Sequence, residues 1–302
     1  MTDVEPTRRG SALTAKTFSS PAFHRVQRTH FLLFDGLPAV GTGAALVLVP
    51  WLPPRPIDLV LFFVFWLVTG LGLTVGFHRL FAHRAFATRP AVAIALLVAG
   101  SMAARGAMIS WVAIHRRHHE CVDGEGDLHS PNAPRGGWRG LLHAHLTWMM
   151  RHDYPNVMVY APDLTRQPAL QRWGRHYHRW IVLGLVLPAA IGFAWDGTAA
   201  GALTGFLWGG VVRMFVVEHA ISLINSVCHR FGRQPHAGRD NSRNNRWLAL
   251  LTWGESHHNN HHAVPASAAF GWSWSELDPG YWLILALQRS GLAWDVRRRS
   301  SS

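Results

Sequence analysis

Nine of the twenty histidines in this 302-residue chain fall into four short groups with regular spacing. His78 and His83 are five positions apart, and His-Arg-Arg-His-His at 115–119 has the same spacing as His-Asn-Asn-His-His at 258–262. Imidazole nitrogen is a ligand for zinc, copper, iron and nickel. The candidate metal ligands are therefore His78, His83, His115, His118, His119, His229, His258, His261 and His262.

The number and spacing of these histidines favour two metal ions over one. A helix places histidines at i, i+3 and i+4 on one face, whereas His78 and His83 would lie about 140° apart and converge only if the helix ends or bends between them. A catalytic zinc ion uses about three protein ligands, so nine imidazoles better suit two six-coordinate ions. With no thiolate or carboxylate inside the groups, this nitrogen-rich set favours redox iron over hydrolytic zinc. Asn225 either approaches a metal through water or caps its helix.

Carboxylates near the histidine groups could orient the imidazoles, because a metal-bound histidine donates its other N–H to an acceptor. The candidates for this role are Asp123, Asp127, Asp240 and Glu255. Arginines in the same stretches could bind an anionic headgroup or anchor the chain at the membrane surface, and these are Arg105, Arg116, Arg117 and Arg246. We expect surface or capping roles for His24, His30, His143, His152, His176, His178, His219 and His236.

Four apolar blocks must position these groups. They cover residues 31–51, 57–77, 180–195 and 198–224, and about 20 residues suffice to cross a hydrocarbon core of roughly 30 Å. A proline-rich turn joins the first two blocks, and Asp196-Gly197 separates the last two. The sequence predicts an all-α integral membrane protein with four transmembrane helices and a cytosolic helical cap that carries the histidine-rich site for two metals.

The predicted organisation alternates cap and membrane segments. A fifth apolar block, 91–114, would place the first two histidine groups on opposite faces of the membrane if it crossed, so we interpret it as buried or re-entrant. The two turns predicted outside, near Arg55 and Asp196, hold one basic residue between them, so both termini and the cap are expected to be cytoplasmic. The segments are a cytosolic N-terminal segment 1–30, a transmembrane hairpin 31–77, a first cap segment 78–179, a second transmembrane hairpin 180–224, and a second cap segment 225–302 with a basic tail.

Composition excludes several other classes of protein. Hydrophobic residues make up 49% of the chain and charged residues 15%, which argues against disorder and against a soluble globule. The net charge of +12 indicates an anionic membrane surface or substrate rather than nucleic acid, because the basic residues adjoin apolar blocks. Two cysteines are too few for a disulfide framework, and the polar N-terminus predicts no cleaved signal peptide.

The order of the histidine groups resembles that of membrane fatty acid desaturases, specifically the short bacterial acyl-CoA or acyl-lipid Δ9 type related to stearoyl-CoA desaturase. The resemblance covers about residues 57–280 and extends to Asp-Leu-His-Ser-Pro at 127–131, His145 and Trp148, 241–245, and Gly254-Glu255. It departs at Ser256-His257, where an aromatic residue is common in that family. The resemblance implies two irons held by the nine histidines, with Asn225 acting through a water.

This resemblance also implies a reaction. Reduced iron would activate O2 to remove hydrogen from two neighbouring methylenes, giving a cis double bond, expected at Δ9. With no haem or flavin motif in the chain, the implied partners are membrane lipid, a fatty acyl substrate and an external electron donor, ferredoxin or a cytochrome b5-like protein with its reductase. The acyl chain should thread an apolar tunnel beneath the metals, with Met108, Trp111 and Trp208 as candidate lining residues.

Two other functions remain open at this point. A di-iron hydroxylase of alkanes, sterols or carotenoids has similar histidine groups, and a membrane carrier of metal or haem would need no catalysis. A zinc protease has no support, because the chain contains no His-Glu-x-x-His sequence.

Overall fold

The fold is almost entirely helical. The computed structural model describes residues 15–132, 136–238 and 240–299; residues 1–14 of the predicted N-terminal segment lie outside these ranges. The helices are α1 Pro21–Leu48, α2 Pro56–Ala82, α3 Pro90–Ser101, α4 Met108–Cys121, α5 Gly137–His145, α6 Val157–Tyr160, α7 Pro162–Thr165, α8 Pro168–Gly174, α9 Tyr177–Asp196, α10 Ala199–Ser226, α11 His258–Ala263 and α12 Pro279–Arg289.

Four helices, α1, α2, α9 and α10, are long and apolar enough to cross a membrane. Helix α1 begins at Pro21, ten residues before the apolar block expected at Phe31. Ser20 caps it by accepting a hydrogen bond from the Phe23 N–H, and Pro21 occupies the first turn, where a missing N–H costs nothing. These capping signals precede the apolar block, so the helix is longer than its apolar part.

Helix α2 also runs past the predicted boundary at residue 77, and its last part, Gly72–Ala82, is a π-helix. In a π-helix, hydrogen bonds join residues five apart, so residues i and i+5 lie one above the other. The His83 N–H donates to the His78 carbonyl at 3.1 Å. His78 and His83 therefore converge because the helix changes from α to π, and not because it ends or bends between them.

The fifth apolar block does not form one long helix. Helix α3 ends at Ser101, and a turn with positive φ at Ala104 and Gly106 leads into α4. Arg213 of α10, which is fully buried, donates to the carbonyls of Met102 and Gly184 at 2.9 and 2.8 Å. The turn is thus tied to two of the long helices, and α4 carries its histidines back toward the end of α2.

Two pairs of short antiparallel strands secure the cap. Strand β1 (Thr17–Phe18) pairs with β3 (Tyr154–Pro155), and β2 (Ala87–Thr88) pairs with β4 (Ala293–Trp294). The Arg297 N–H then donates to the Ala85 carbonyl at 2.8 Å. The basic tail is held against the cap as far as this residue.

Arg55 joins the two helix pairs at the end opposite to the histidines. Its guanidinium contacts Asp58 at 2.9 Å, the Gly201 carbonyl at 2.9 Å, and Asp196. One arginine therefore connects both short turns that link the long helices.

Candidate metal centre

The nine predicted ligands form two clusters in the cap. The first, called the five-histidine cluster, contains His78, His83, His115, His119 and His261; the second, the four-histidine cluster, contains His118, His229, His258 and His262. Within each cluster one nitrogen of every imidazole lies within 4.8 Å of those of the others. Helices α4 and α11 contribute to both clusters. The end of α2 contributes only to the five-histidine cluster, and the turn after α10 contributes His229 to the four-histidine cluster.

Each His-x-x-His-His motif is divided between the clusters. On α4, His115 and His119 join the five-histidine cluster and His118 joins the other, whereas on α11 only His261 joins the five-histidine cluster. Residues at i and i+4 lie almost in line, while i+3 lies on the other side of that line. The motif therefore supplies ligands to two neighbouring positions rather than three to one.

Nitrogen separations within the clusters match those of metal ligands. Two imidazole nitrogens that bind one ion at about 2.1 Å lie roughly 3 Å apart when they are at right angles. The Nε2 atoms of His115 and His83 are 2.7 Å apart, those of His115 and His119 3.0 Å, and those of His119 and His261 2.9 Å. In the other cluster, His229 and His258 approach at 3.0 Å.

The four predicted carboxylates each contact the Nδ1 atom of one clustered histidine. Asp127 contacts His118 at 3.1 Å, Asp123 contacts His229 at 3.1 Å, Asp240 contacts His262 at 2.9 Å, and Glu255 contacts His78. A carboxylate that accepts from Nδ1–H leaves Nε2 with a lone pair directed away from it. Within the described residues, Nε2 of His118 and of His262 is buried with no hydrogen-bond partner.

The electrostatics of the cap favour neutral imidazoles at four clustered histidines and ionised carboxylates at three of the four contacting acids. Burial lowers the pKa values of His115, His119, His258 and His261 well below the usual value. Burial alone would raise the carboxyl pKa of Asp123, Asp127 and Asp240, but the contacting histidines lower each below its usual range. Burial raises the pKa of Glu255 to about 8, although Arg79 opposes this rise. Converging neutral lone pairs within a ring of carboxylates suit a cation.

The arginines proposed for headgroup binding differ in their availability. Arg116 donates to the carbonyls of Phe81, Ala82 and Tyr160 and to Asp163, so its guanidinium is engaged within the cap. The Arg105 side chain is 4% exposed and pairs with Glu218. Arg117 is half-buried beside Tyr160, and Arg246 is exposed over the Trp247 ring.

Of the three candidate tunnel residues, Trp111 alone lines the two cavities beneath the clusters, where its ring stacks on His115 with centroids 5.1 Å apart. Met108 packs in the main core at the start of α4, and Trp208 packs beside Ala45 of α1. Asn225 lines both cavities. Sequence reasoning missed a role for His129, which lies beside His118 and lines the larger cavity.

The fold and these clusters define a class of helical integral membrane protein whose cap can hold metal ions. The family model for fatty acid desaturases matches residues 58–297, and the chain belongs to this family of oxidoreductases.

Similar proteins include a hex-5-enoyl-[acyl-carrier protein] acetylenase of Moorena producens, 46% identical over 289 residues, covering 94% of this chain and 90% of that protein. An sn-1 stearoyl-lipid 9-desaturase of Anabaena variabilis is 34% identical, with 78% and 81% covered. A Delta-9 acyl-lipid desaturase of Arabidopsis thaliana is 33% identical, with 79% and 75% covered.

Proposed function

We propose that this protein is an O2-dependent desaturase that introduces a cis double bond, predicted at Δ9, into a saturated fatty acyl chain at a di-iron centre. The observation that carries the proposal is the pair of histidine clusters directly above a cavity lined by Trp111, His115, Ile221 and Asn225. An acyl chain in this cavity would present its methylenes to both metal positions at once.

The nine histidines would hold the two irons, with Asn225 contributing through a water. When bound, reduced non-haem iron supplies the activation of O2 that an unactivated C–H bond requires. Each turnover breaks one C–H bond on each of two adjacent carbons, forms one C=C bond and, with two electrons and two protons, reduces O2 to two waters. The electrons come from a one-electron donor of the ferredoxin or cytochrome b5 type with its reductase.

The chain's own residues orient and enclose the reaction. Asp123, Asp127, Asp240 and Glu255 fix the direction of their histidines through Nδ1, and the apolar cavity walls exclude water from the reacting methylenes. Arg105, Arg116, Arg117 and Arg246 are the candidates for contact with an anionic headgroup, and Arg246 is the exposed one among them. The clusters and both termini face the cytoplasm of a bacterial inner membrane, where the basic surface would attract an acidic donor.

A second candidate function is the conversion of an existing double bond to a triple bond. The specific observation in its favour is that the acetylenase relative aligns with 94% of this chain at 46% identity. The same metal positions and electron supply would serve both reactions, because each removes two hydrogens from adjacent carbons. Whether the bound acyl chain is saturated or already carries a double bond then decides whether the product has a double or a triple bond.

A fatty-acid profile tests the proposed function. The wild-type protein, His261→Ala and His176→Ala are expressed in one host, and double-bond positions are determined by derivatisation and mass spectrometry. His176→Ala is the matched control, because its ring contacts only Arg175 and Trp180 among described residues. A new cis-monoene that His261→Ala abolishes and His176→Ala retains supports the proposal. Hydroxylated products support a hydroxylase, and no product from iron-loaded protein with a reducing partner contradicts oxidation of acyl chains.

A further inference from the structure

The two histidine clusters differ in the charge that surrounds them. Three carboxylates, each on the Nδ1 atom of one histidine, contact the four-histidine cluster, and they belong to Asp123, Asp127 and Asp240. Within the described residues, the five-histidine cluster has one such contact, from Glu255 to His78. The histidines are thus divided almost evenly between the clusters, whereas the carboxylates are not.

Neutral donors hold the aspartates beside the four-histidine cluster. Asp123 accepts from the side chain of Asn132 at 3.0 Å and from the Asn241 N–H at 2.8 Å. Asp240 accepts from the Ser242 N–H at 2.9 Å. Among the described residues, no arginine or lysine forms an ion pair with any of the three aspartates, whose ionic contacts are all with histidines. A neutral donor fixes the direction of a carboxylate without removing its charge.

A buried arginine balances the carboxylate beside the five-histidine cluster. Arg79 directly follows a ligand of this cluster, and its fully buried guanidinium pairs with Glu255 at 3.4 Å and with Asp278 at 2.8 Å. The guanidinium also donates to the Ala268 carbonyl at 2.8 Å and lies 3.9 Å from the centre of the Phe270 ring. These contacts hold one positive charge next to the carboxylate that reaches the cluster.

Negative charge beside a metal ion favours the higher oxidation state of that ion. The attraction between a carboxylate and iron grows with the charge on the iron, and a carboxylate that accepts from Nδ1–H raises the basicity of the imidazole. Net charge and hydrogen bonds around the ligands set the reduction potential of bound iron. The additional imidazole of the five-histidine cluster is neutral, so it does not offset the difference in charge between the two positions.

We propose that the two metal positions are unequal: the four-histidine position stabilises ferric iron, and the five-histidine position, whose carboxylate is balanced by Arg79, accepts the first electron. The proposal rests on the proposed function, because it requires iron at both positions. In this step the reduced one-electron donor is oxidised and ferric iron at the five-histidine position becomes ferrous, with no bond to carbon formed or broken. A second electron then reduces the four-histidine position at a lower potential. Arg79 and the three aspartates act through the histidines and are positioning residues.

Reductive titration of the iron-loaded protein tests the order of reduction. Full-length protein, loaded with a Mössbauer-active iron isotope, is titrated anaerobically without acyl substrate, and the ferrous fraction is measured at each potential. We expect two separate one-electron steps. Asp123→Asn should raise the lower potential by about 59 mV, which corresponds to a tenfold fall in the preference for ferric iron, and should leave the higher potential unchanged. Asp153→Asn, at an exposed acid that adjoins no clustered histidine, is the control and should move neither step.

The same titration separates failure of the proposal from failure of the proposed function. A single two-electron step, or an equal shift of both potentials in Asp123→Asn, would overturn the proposal. Protein that binds fewer than two irons per chain would contradict the di-iron function itself. Protein that reduces its two irons in the expected order but forms no oxidised acyl product would uphold the unequal positions and contradict the desaturase function.

A pair of variants at Arg79 provides the second measurement. Arg79→Met removes the positive charge and should lower the higher potential by about 59 mV, the equivalent of a tenfold change, because Glu255 and Asp278 then lack their counter-ion. Arg79→Lys keeps the charge and should retain the wild-type potential. Equal potentials in the two variants, measured with both irons bound, would remove the role assigned to Arg79. If Arg79→Met does not retain its iron, the result for Asp123→Asn decides the proposal.

Discussion

At the scale of single residues, the carboxylates decide which imidazole nitrogen faces the proposed metal positions. Asp240 illustrates this because one oxygen contacts Nδ1 of His262 at 2.9 Å and the other accepts from Ser242. Ser242 thus holds the Asp240 carboxylate in place, and the carboxylate in turn fixes the direction of the His262 ring. Loss of such an outer contact typically weakens metal binding by about 10- to 100-fold.

We therefore expect Asp240→Asn to lower iron affinity by about 10- to 100-fold, because the amide holds the Nδ1–H of His262 less strongly. Iron retained per protein is measured after equilibration with a graded series of chelator concentrations. The control is Asp153→Asn, since Asp153 is exposed and adjoins no clustered histidine. Equal iron retention in both variants would contradict the role of Asp240.

Removal of the metals should destabilise the folded cap. Nine imidazoles, six of them buried and several with nitrogens about 3 Å apart, lose the cation that their lone pairs require. Dialysis against a chelator is expected to lower the thermal unfolding temperature, and added ferrous iron should restore it. An apo protein that unfolds at the same temperature as the loaded one would show that the clusters do not depend on a metal.

The candidate ligands could be predicted from the sequence because their spacing is local. His115, His118 and His119 lie within five consecutive positions, and Asp127 follows shortly after. The contact of Trp66 with Trp253 could not be predicted, since 187 positions separate them and only tertiary packing brings them together. The contacts of Arg116 could not be predicted for a related reason: three of its acceptors are backbone carbonyls, which no side-chain pattern reveals.

At the scale of elements, close contact between α2 and α3 holds the first histidine pair in place. A Cβ atom at Gly72 would lie 2.2 Å from the Gly100 backbone nitrogen, and one at Gly76 would lie 2.9 Å from Leu96. Small residues four apart let membrane helices approach this closely. His78 follows Gly76 by two positions, so the spacing of these helices also sets the position of a ligand.

Gly72→Ala should separate α2 from α3 and destabilise the protein by about 1–3 kcal/mol, with partial loss of iron. Gly43→Ala on α1 is the matched control, because nothing lies within 4 Å of a Cβ there; it should be neutral or stabilising by up to about 1 kcal/mol. Thermal unfolding in detergent and iron content are measured together. Equal behaviour of the two variants would refute the packing argument.

The length and type of each element were harder to predict than its existence. Four apolar blocks correctly predicted four long helices, but α1 begins earlier because Ser20 and Pro21 form its cap. The π-helical end of α2 could not be predicted, because its hydrogen-bond pattern depends on the packing of this buried segment against the cap and not on local sequence. The spacing of His78 and His83 gave the only sequence signal, as an apparent mismatch with an α-helix.

At the scale of the whole molecule, the two ends of the helical bundle differ in their chemistry. One end gathers the histidine clusters and the helical cap, and the other is connected through Arg55, Asp58 and Asp196. Helix α9, with 20 residues, spans about 30 Å between these ends. The proposed orientation places the clusters in the cytoplasm, where a reduced electron donor and the acyl substrate are both available.

Single cysteines at the two ends of α9 test this orientation. Both native cysteines are first replaced, by Cys121→Ser and Cys228→Ala. Single cysteines are then introduced at two exposed positions, Arg175→Cys just before α9 and Ala199→Cys just after it. A membrane-impermeant maleimide should label Ala199→Cys in right-side-out vesicles and Arg175→Cys only in inverted vesicles, because about 30 Å of apolar helix separates the sites. The reverse labelling pattern would place the clusters on the outer face, and labelling of both sites in one preparation would show that α9 does not cross the membrane.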